Sequence, residues 1–269
     1  MIIHNSYTIY NFIIQSDTPE HIDALRMLYC CTESVSFKPC QRIVIQRASA
    51  SFYVTYNGRS TLTEHPIQLV QKIIFENQKY APYILPLHAG GIEEGGKAWL
   101  FLASTGTGKT TLITYLTSRG YTYINDDRIF INHNSLKCVA HVTPVHLRPE
   151  SIPILENNDC YIKGKLLEIE TIQRIVYMPK TVVVEDMPIG GIYFITRCDN
   201  ENSCTPLSGG EAVQRLMQNL LTSLDGSASL RCAVKLARYC HELKFSRLSY
   251  VYDLLKDLLI KVHRKNETS

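Results

Sequence analysis

The sequence has no apolar run of the about 20 residues that a membrane-spanning helix requires. A helical membrane protein is therefore not expected. It also lacks a strong charge of either sign. The net charge is +3 and no basic block stands out, which argues against a nucleic-acid surface. The short run Lys261-Val-His-Arg-Lys265 reads as a solvated helix end. There is no Cys-x-x-Cys and no Cys/His set with zinc spacing. The nine cysteines are scattered and odd in number, so reduced thiols are the economical reading. The first residues carry neither a basic n-region nor a cleavage-like run of small residues. Together these absences predict a cytoplasmic protein with no membrane and no nucleic-acid partner.

What is present is a nucleotide-loop pattern. Leu100-Phe-Leu-Ala-Ser-Thr-Gly-Thr-Gly-Lys-Thr-Thr111 closes an apolar run, Ala98 to Ala103, with a glycine loop, and a helix-compatible run follows to Arg119. Strand, glycine loop, Gly-Lys-Thr and helix together present backbone N–H groups to a di- or triphosphate. Ser104, Thr105, Gly106, Thr107, Gly108, Lys109, Thr110 and Thr111 are the candidate nucleotide-binding residues. Lys109 would reach the β- and γ-phosphates and the Thr110 hydroxyl would sit on Mg²⁺. The strict pattern wants glycine where Ala103 stands. Shortly afterwards, Tyr121 to Asn125 reads as a strand ending in Asp126-Asp127-Arg128. Two carboxylates there can divide the work: one accepts the proton of an attacking hydroxyl, the other holds Mg²⁺ or its water.

At 269 residues and 45% hydrophobic, the chain supports a sizeable core. Residues 6–15 are β-branched and aromatic and predict a strand. A helix is expected from Pro19 to about Cys31, then strands at Ile43–Arg47 and Ser51–Tyr56 with an Asn57-Gly58 hairpin turn. Pro66 to Tyr80 has helical spacing. Ile84 to Leu87 reads as a short strand, Glu93–Gly96 as a turn, and Ile129-Phe-Ile as apolar again.

His88-Ala-Gly-Gly, then Ala-Ser-Thr-Gly-Thr-Gly-Lys-Thr-Thr-Leu, then Arg119-Gly-Tyr-Thr-Tyr-Ile-Asn-Asp-Asp-Arg resembles the catalytic core of HPr kinase/phosphorylase. It resembles still more the compact members of that group that phosphorylate serine on ribosomally made peptides, such as lasso peptide precursors. The match runs from about residue 86 to 132 and more weakly to about 196. It implies ATP- and Mg²⁺-dependent phosphorylation of a serine hydroxyl, with Asp126 as proton acceptor, Lys109 on the phosphates, and Thr110 with Asp127 on the metal. His88 matches the family's histidine before the core strand. The family's Glu-x-Arg-Gly segment finds its nearest match in Val145-His146-Leu147-Arg148-Pro149, where His146 replaces the acid. Arg148 and Lys163 are candidate phosphate or acceptor contacts. The loop that contacts HPr is absent, Tyr177-Met-Pro-Lys180 standing there, so HPr is not the expected acceptor. HPr kinases are hexameric, so the resemblance leaves a homo-oligomer as an open expectation.

Leu207-Ser-Gly-Gly-Glu211 looks like a transporter ATPase signature, yet no apolar strand ending in Asp-Glu follows it. Ser208 and Glu211 read better as a helix capping box. Residues 227–242 and 248–263 carry amphipathic helical patterns, joined by Leu243–Tyr250. The predicted organisation is an α/β P-loop kinase core of HPr-kinase type over 83–200, an N-terminal α+β layer over 1–82 and a C-terminal helical cap over 201–269. The predicted activity is a serine-type kinase acting on a peptide, small protein or small molecule. A nucleotide-binding scaffold without catalysis is the alternative.

Overall fold

The computed structural model describes residues 5–9, 12–29, 41–77, 83–104, 106–221 and 226–266. Cys30, Cys31, Cys40, Tyr80, Thr105 and the tail 267–269 lie outside them. The chain is a mixed α/β structure with three sheets among the described residues. No described helix is long and apolar enough to cross a membrane.

The first sheet has five strands in sequence order: β1 (Asn5–Ile9), β2 (Phe12–Ser16), β3 (Gln41–Ala48), β4 (Ser51–Tyr56) and β5 (Arg59–Thr63). The single strand expected over residues 6–15 is instead an antiparallel pair, with Ile9 opposite Phe12. Its alternation gave the strand type but not the reversal between them. β4 and β5 turn at Asn57-Gly58, where both residues have positive φ (49° and 73°), the conformation Asn-Gly favours. Helices α1 (Pro19–Tyr29) and α2 (Pro66–Asn77) cover this sheet with Ile22, Leu25, Ile67, Val70 and Ile74.

The main sheet holds β6 (Ile84–Glu94), β7 (Lys97–Leu102), β8 (Thr122–Asn125), β9 (Arg128–Asn132), β10 (Lys137–Val139) and later strands. A third, three-stranded sheet is formed by β11 (Val145–Leu147), β12 (Lys165–Ile169) and β13 (Ile172–Tyr177), with β13 in the middle. β14 (Met187–Arg197), β15 (Ser203–Pro206) and β16 (Cys240–Phe245) complete the main sheet, whose order is β10-β9-β6-β7-β14-β16-β15, with β8 paired to β6. β7, β14 and β16 run parallel, whereas β6 is antiparallel to β7. The helices around it are α3 (Lys109–Ser118), α4 (Ser151–Glu156), α5 (Gly209–Gln218), α6 (Gly226–Leu236) and α7 (Leu248–Asn266).

Three expectations change here. The short strand at Ile84–Leu87 is eleven residues long and runs through His88-Ala-Gly-Gly to Glu94. The helix expected over 227–242 stops at Leu236, and the supposed connection beyond it is β16, buried at Cys240, Leu243 and Phe245. The C-terminal region is thus not a helical cap alone, because it lays two strands on the main sheet. Cys-His-Glu-Leu-Lys-Phe has ordinary helix formers, and its pairing with β14 overrides them. Finally, Leu167 and Val176 of the third sheet belong to the same apolar cluster as the N-terminal layer. Glu170, at the β12–β13 turn with φ 57°, accepts hydrogen bonds from Ile67 N and Gln68 N at 2.6 and 3.1 Å, capping α2 from a distant segment. Layer and core therefore share packing across the residue 82/83 boundary.

Candidate functional site

The site grows from the C-terminal ends of β7 and β8. Gly91 of β6 pairs with Leu100 on one side and Asn125 on the other, so β8 ends level with Leu100, two residues before the end of β7. With strands about 4.8 Å apart, the loop after β7 and the turn after β8 face each other across β6. A Cβ on Gly90 would stand 2.8 Å from Ile113 Cγ1 and 3.4 Å from the Asp126 carbonyl oxygen. The missing side chain is what lets α3 settle on the sheet beside the carboxylate turn.

The loop itself is held in a tight turn. Thr107 N donates to the Ser104 carbonyl at 3.3 Å, its hydroxyl donates to the same oxygen at 2.9 Å, and the two hydroxyls lie 3.0 Å apart. Gly106 (φ 89°) and Gly108 (φ 95°) take conformations that other residues rarely adopt, with open space where a Cβ would be. The first intrahelical bond of α3 runs from Leu112 N to Gly108 O at 2.9 Å. The N–H groups of Lys109, Thr110 and Thr111 precede it and are left for another acceptor. The Thr111 side chain is not part of that offer, since it is buried and its hydroxyl donates to Ser151 Oγ at 3.0 Å. Lys109 is 8% exposed and its Nζ has no hydrogen-bond partner among the described residues. Desolvation lowers its pKa, against the opposing charges of Asp127 and Asp126. A buried ammonium left so is costly unless an anion completes it.

Asn125 builds the carboxylate turn. Its Oδ1 accepts from Asp127 N and Arg128 N, both at 3.0 Å, while its Nδ2 donates to His141 O at 3.1 Å and Thr143 Oγ1 at 3.0 Å. This Asx geometry aims the two aspartates apart. Asp126 turns inward, 4% exposed, accepting from the Tyr123 hydroxyl at 3.0 Å, with the Thr110 side chain as a neighbour. Burial raises its pKa, Asp127 adds to the rise, and His146, Tyr123 and Thr110 work against it. Asp127 turns outward, 58% exposed, 3.3 Å from His88 Nε2 and 3.5 Å from Arg128 Nε. The protein around it disfavours its charge. The His88 hydrogen bond and the Arg128 and Lys109 charges outweigh that and hold its carboxyl below the usual range. His88 reaches Asp127 because it pairs with Arg128 across β6 and β9.

The structure thus brings Lys109, Thr110, Asp126, Asp127 and His88 together with the glycine loop. Thr105 lies outside the described residues. Arg148 is exposed beyond β11, with Arg174 as a neighbouring charge, and Lys163 lines a separate cavity. Neither makes an ion pair with Asp126 or Asp127 among the described residues.

Sequence reasoning missed the two residues that shape the turn, Asn125 and Tyr123. An asparagine just before paired aspartates was the available signal for Asn125. Tyr123 carried none, since nothing in its neighbours separates it from an ordinary core aromatic. The placement of His146 was also unforeseen. His146 Nε2 is buried and unpartnered among the described residues, the Met27 backbone is a neighbour of the ring, and the charges of Asp126 and Asp127 act on it. Burial lowers its pKa.

No family model matches the chain, and no curated protein does. Among solved structures, the HPr(Ser) kinase/phosphatase from Coxiella burnetii aligns at 14% identity over 68% of this chain and 99% of that one, with a TM-score of 0.31. At these values the likeness is remote and carries no argument about activity.

Proposed function

We propose that the protein is an ATP- and Mg²⁺-dependent kinase that moves the γ-phosphoryl group to a serine-type hydroxyl of a peptide, small protein or small molecule. The observation that carries this reading is the buried Lys109 Nζ, unpartnered among the described residues, beneath a glycine loop that opens α3, whose N–H groups before Leu112 have no acceptor among the described residues. Such a set is completed by polyphosphate.

Three roles follow for the chain's own groups. The loop and Lys109 fix the phosphates. Thr110 and Asp127 offer hard oxygen donors suited to Mg²⁺, which takes one or two carboxylates and leaves the rest to phosphate and water. Bound there, the ion would neutralise phosphate charge. Asp126, its pKa raised by burial, takes the proton as the acceptor oxygen bonds to the γ-phosphorus. The bond from that phosphorus to the β,γ-bridging oxygen breaks and ADP leaves with the electron pair. Asp127, held ionised by His88 and Arg128, is the weaker candidate for the base.

The test is Asp126→Asn, assayed with γ-labelled ATP and serine-containing peptides. The variant should bind ATP like the parent and lose at least about a hundredfold in transfer. Transfer at the parental rate would remove Asp126 from the role of base. A parent protein that binds ATP and transfers to no acceptor would leave a nucleotide-binding scaffold. Phosphate release without any acceptor would make it an ATPase.

A further inference from the structure

A cavity lies beside the third sheet. It measures about 570 Å³ and sits between α1 and the β12–β13 hairpin, in the range that ligand sites occupy. Met27, Pro144, Val176 and Tyr177 form apolar walls, and Lys163 and Lys165 stand on its rim. Arg26 also lines it, paired with Asp23 at 3.2 Å. No carboxylate is among the described residues that line it.

Register ties this cavity to the carboxylate chamber. Val176 of β13 is directly opposite His146 of β11 on one side and Lys165 of β12 on the other. Residues directly opposite across antiparallel strands point to the same face. Lys165, Val176 and His146 therefore form one row, with about 5 Å between neighbours. Lys165 and Val176 of the row line the cavity, and its inner end is His146, on which the charges of Asp126 and Asp127 act. A second link is Tyr177, whose hydroxyl donates to Thr114 Oγ1 of α3 at 3.0 Å. The same nucleotide helix thus backs both spaces.

We infer that this cavity receives the acceptor, and that the acceptor is a peptide carrying acidic residues beside its serine. The inference rests on the kinase reading above for the chemistry, but not for the binding. Two exposed lysines with no carboxylate in the described lining complement negative charge. The volume is several times what a single small amino acid needs, and the apolar walls suit side chains flanking the reacting one. In this pose the serine hydroxyl reaches Asp126 past His146, and acidic neighbours meet Lys163 and Lys165.

The test uses fluorescein-labelled peptides with a central serine flanked by glutamates, and matched peptides with glutamines. Anisotropy should show the glutamate peptide binding the parent at least tenfold more tightly, with the difference shrinking as salt rises. Lys163→Glu with Lys165→Glu should erase or invert that preference, and Lys163→Gln with Lys165→Gln should reduce it. Fluorescent-ATP affinity reports whether each variant retains its fold. Equal affinities for the two peptides, no binding of either, or an unchanged preference in the glutamate variant would overturn the inference. Peptide that binds with this preference yet is never phosphorylated would instead refute the kinase reading and leave the cavity assignment standing. Peptide phosphorylated with no charge preference would do the reverse.

Discussion

Lys109 and His141 show how two buried basic groups can serve opposite ends. The Lys109 ammonium is set in a chamber with two carboxylates but bonded to none, an arrangement completed by an incoming anion. Lys109→Met should weaken ATP binding at least tenfold, about 1.4 kcal/mol. The check is thermal shift, where the stabilisation that ATP confers on the parent should largely vanish. His141, 3% exposed against the Phe130 ring, is desolvated and lies near Arg128, and its pKa falls from 6.5 to about 4. Below pH 6.5 the unfolded chain binds this proton and the folded chain does not until about pH 4. Stability contributed here is complete above pH 6.5 and is lost as the pH drops through that window, by on the order of 3 kcal/mol. Burial lowers the pKa of His21 and His146 in the same sense. Urea unfolding of His141→Gln between about pH 4 and 7 should give a flatter dependence than the parent.

At the scale of elements, the contact between β6 and α3 sets the site. Gly90→Ala would force a Cβ to 2.8 Å from Ile113 Cγ1, and both partners are locked in packed surfaces. The expected cost is about 1 to 3 kcal/mol, measured by denaturant midpoint. Adding Ile113→Ala should recover part of it in a double-mutant cycle, which a general loss of strand propensity would not allow. This is also where the sequence was most and least readable. The glycine loop, the Asn57-Gly58 turn and the Ser208 cap, whose hydroxyl accepts from Glu211 N at 3.4 Å, were legible because each is a local rule written in a few residues. β16 was not, because its pairing partner β14 lies more than forty residues upstream and its residues also suit a helix. The β12 and β13 strands went unassigned for a related reason: their burial comes from α1 and the far side of the core rather than from their own alternation. Asp126 and Asp127 were legible as a pair but not as opposites. Their divergence is made by Asn125, His88 and Tyr123, which the fold assembles from separate strands and a turn.

For the whole molecule, the informative joint is Glu170. Its carboxylate caps α2 while its own backbone sits in the left-handed region at the β12–β13 turn. Glu170→Ala should cost about 1 kcal/mol of helix capping. It should also raise the proteolytic sensitivity of the N-terminal layer more than that of the main sheet. Equal sensitivity throughout would mean the two unfold as one unit. Phe75 of α2 adds a second fastening, with the Arg128 guanidinium 5.8 Å from its ring centroid. That places a residue of the N-terminal layer one neighbour away from the outward aspartate.

The packing of the third sheet against α1 has a practical corollary. A fragment starting at residue 83 would carry the glycine loop and both aspartates, yet Leu167 and Val176 would have lost the apolar residues that cover them. Engineers who trim this chain to that piece should therefore find one whose third sheet is open to water and prone to stick to other copies. Adding the missing layer back as a separate polypeptide would be the natural remedy.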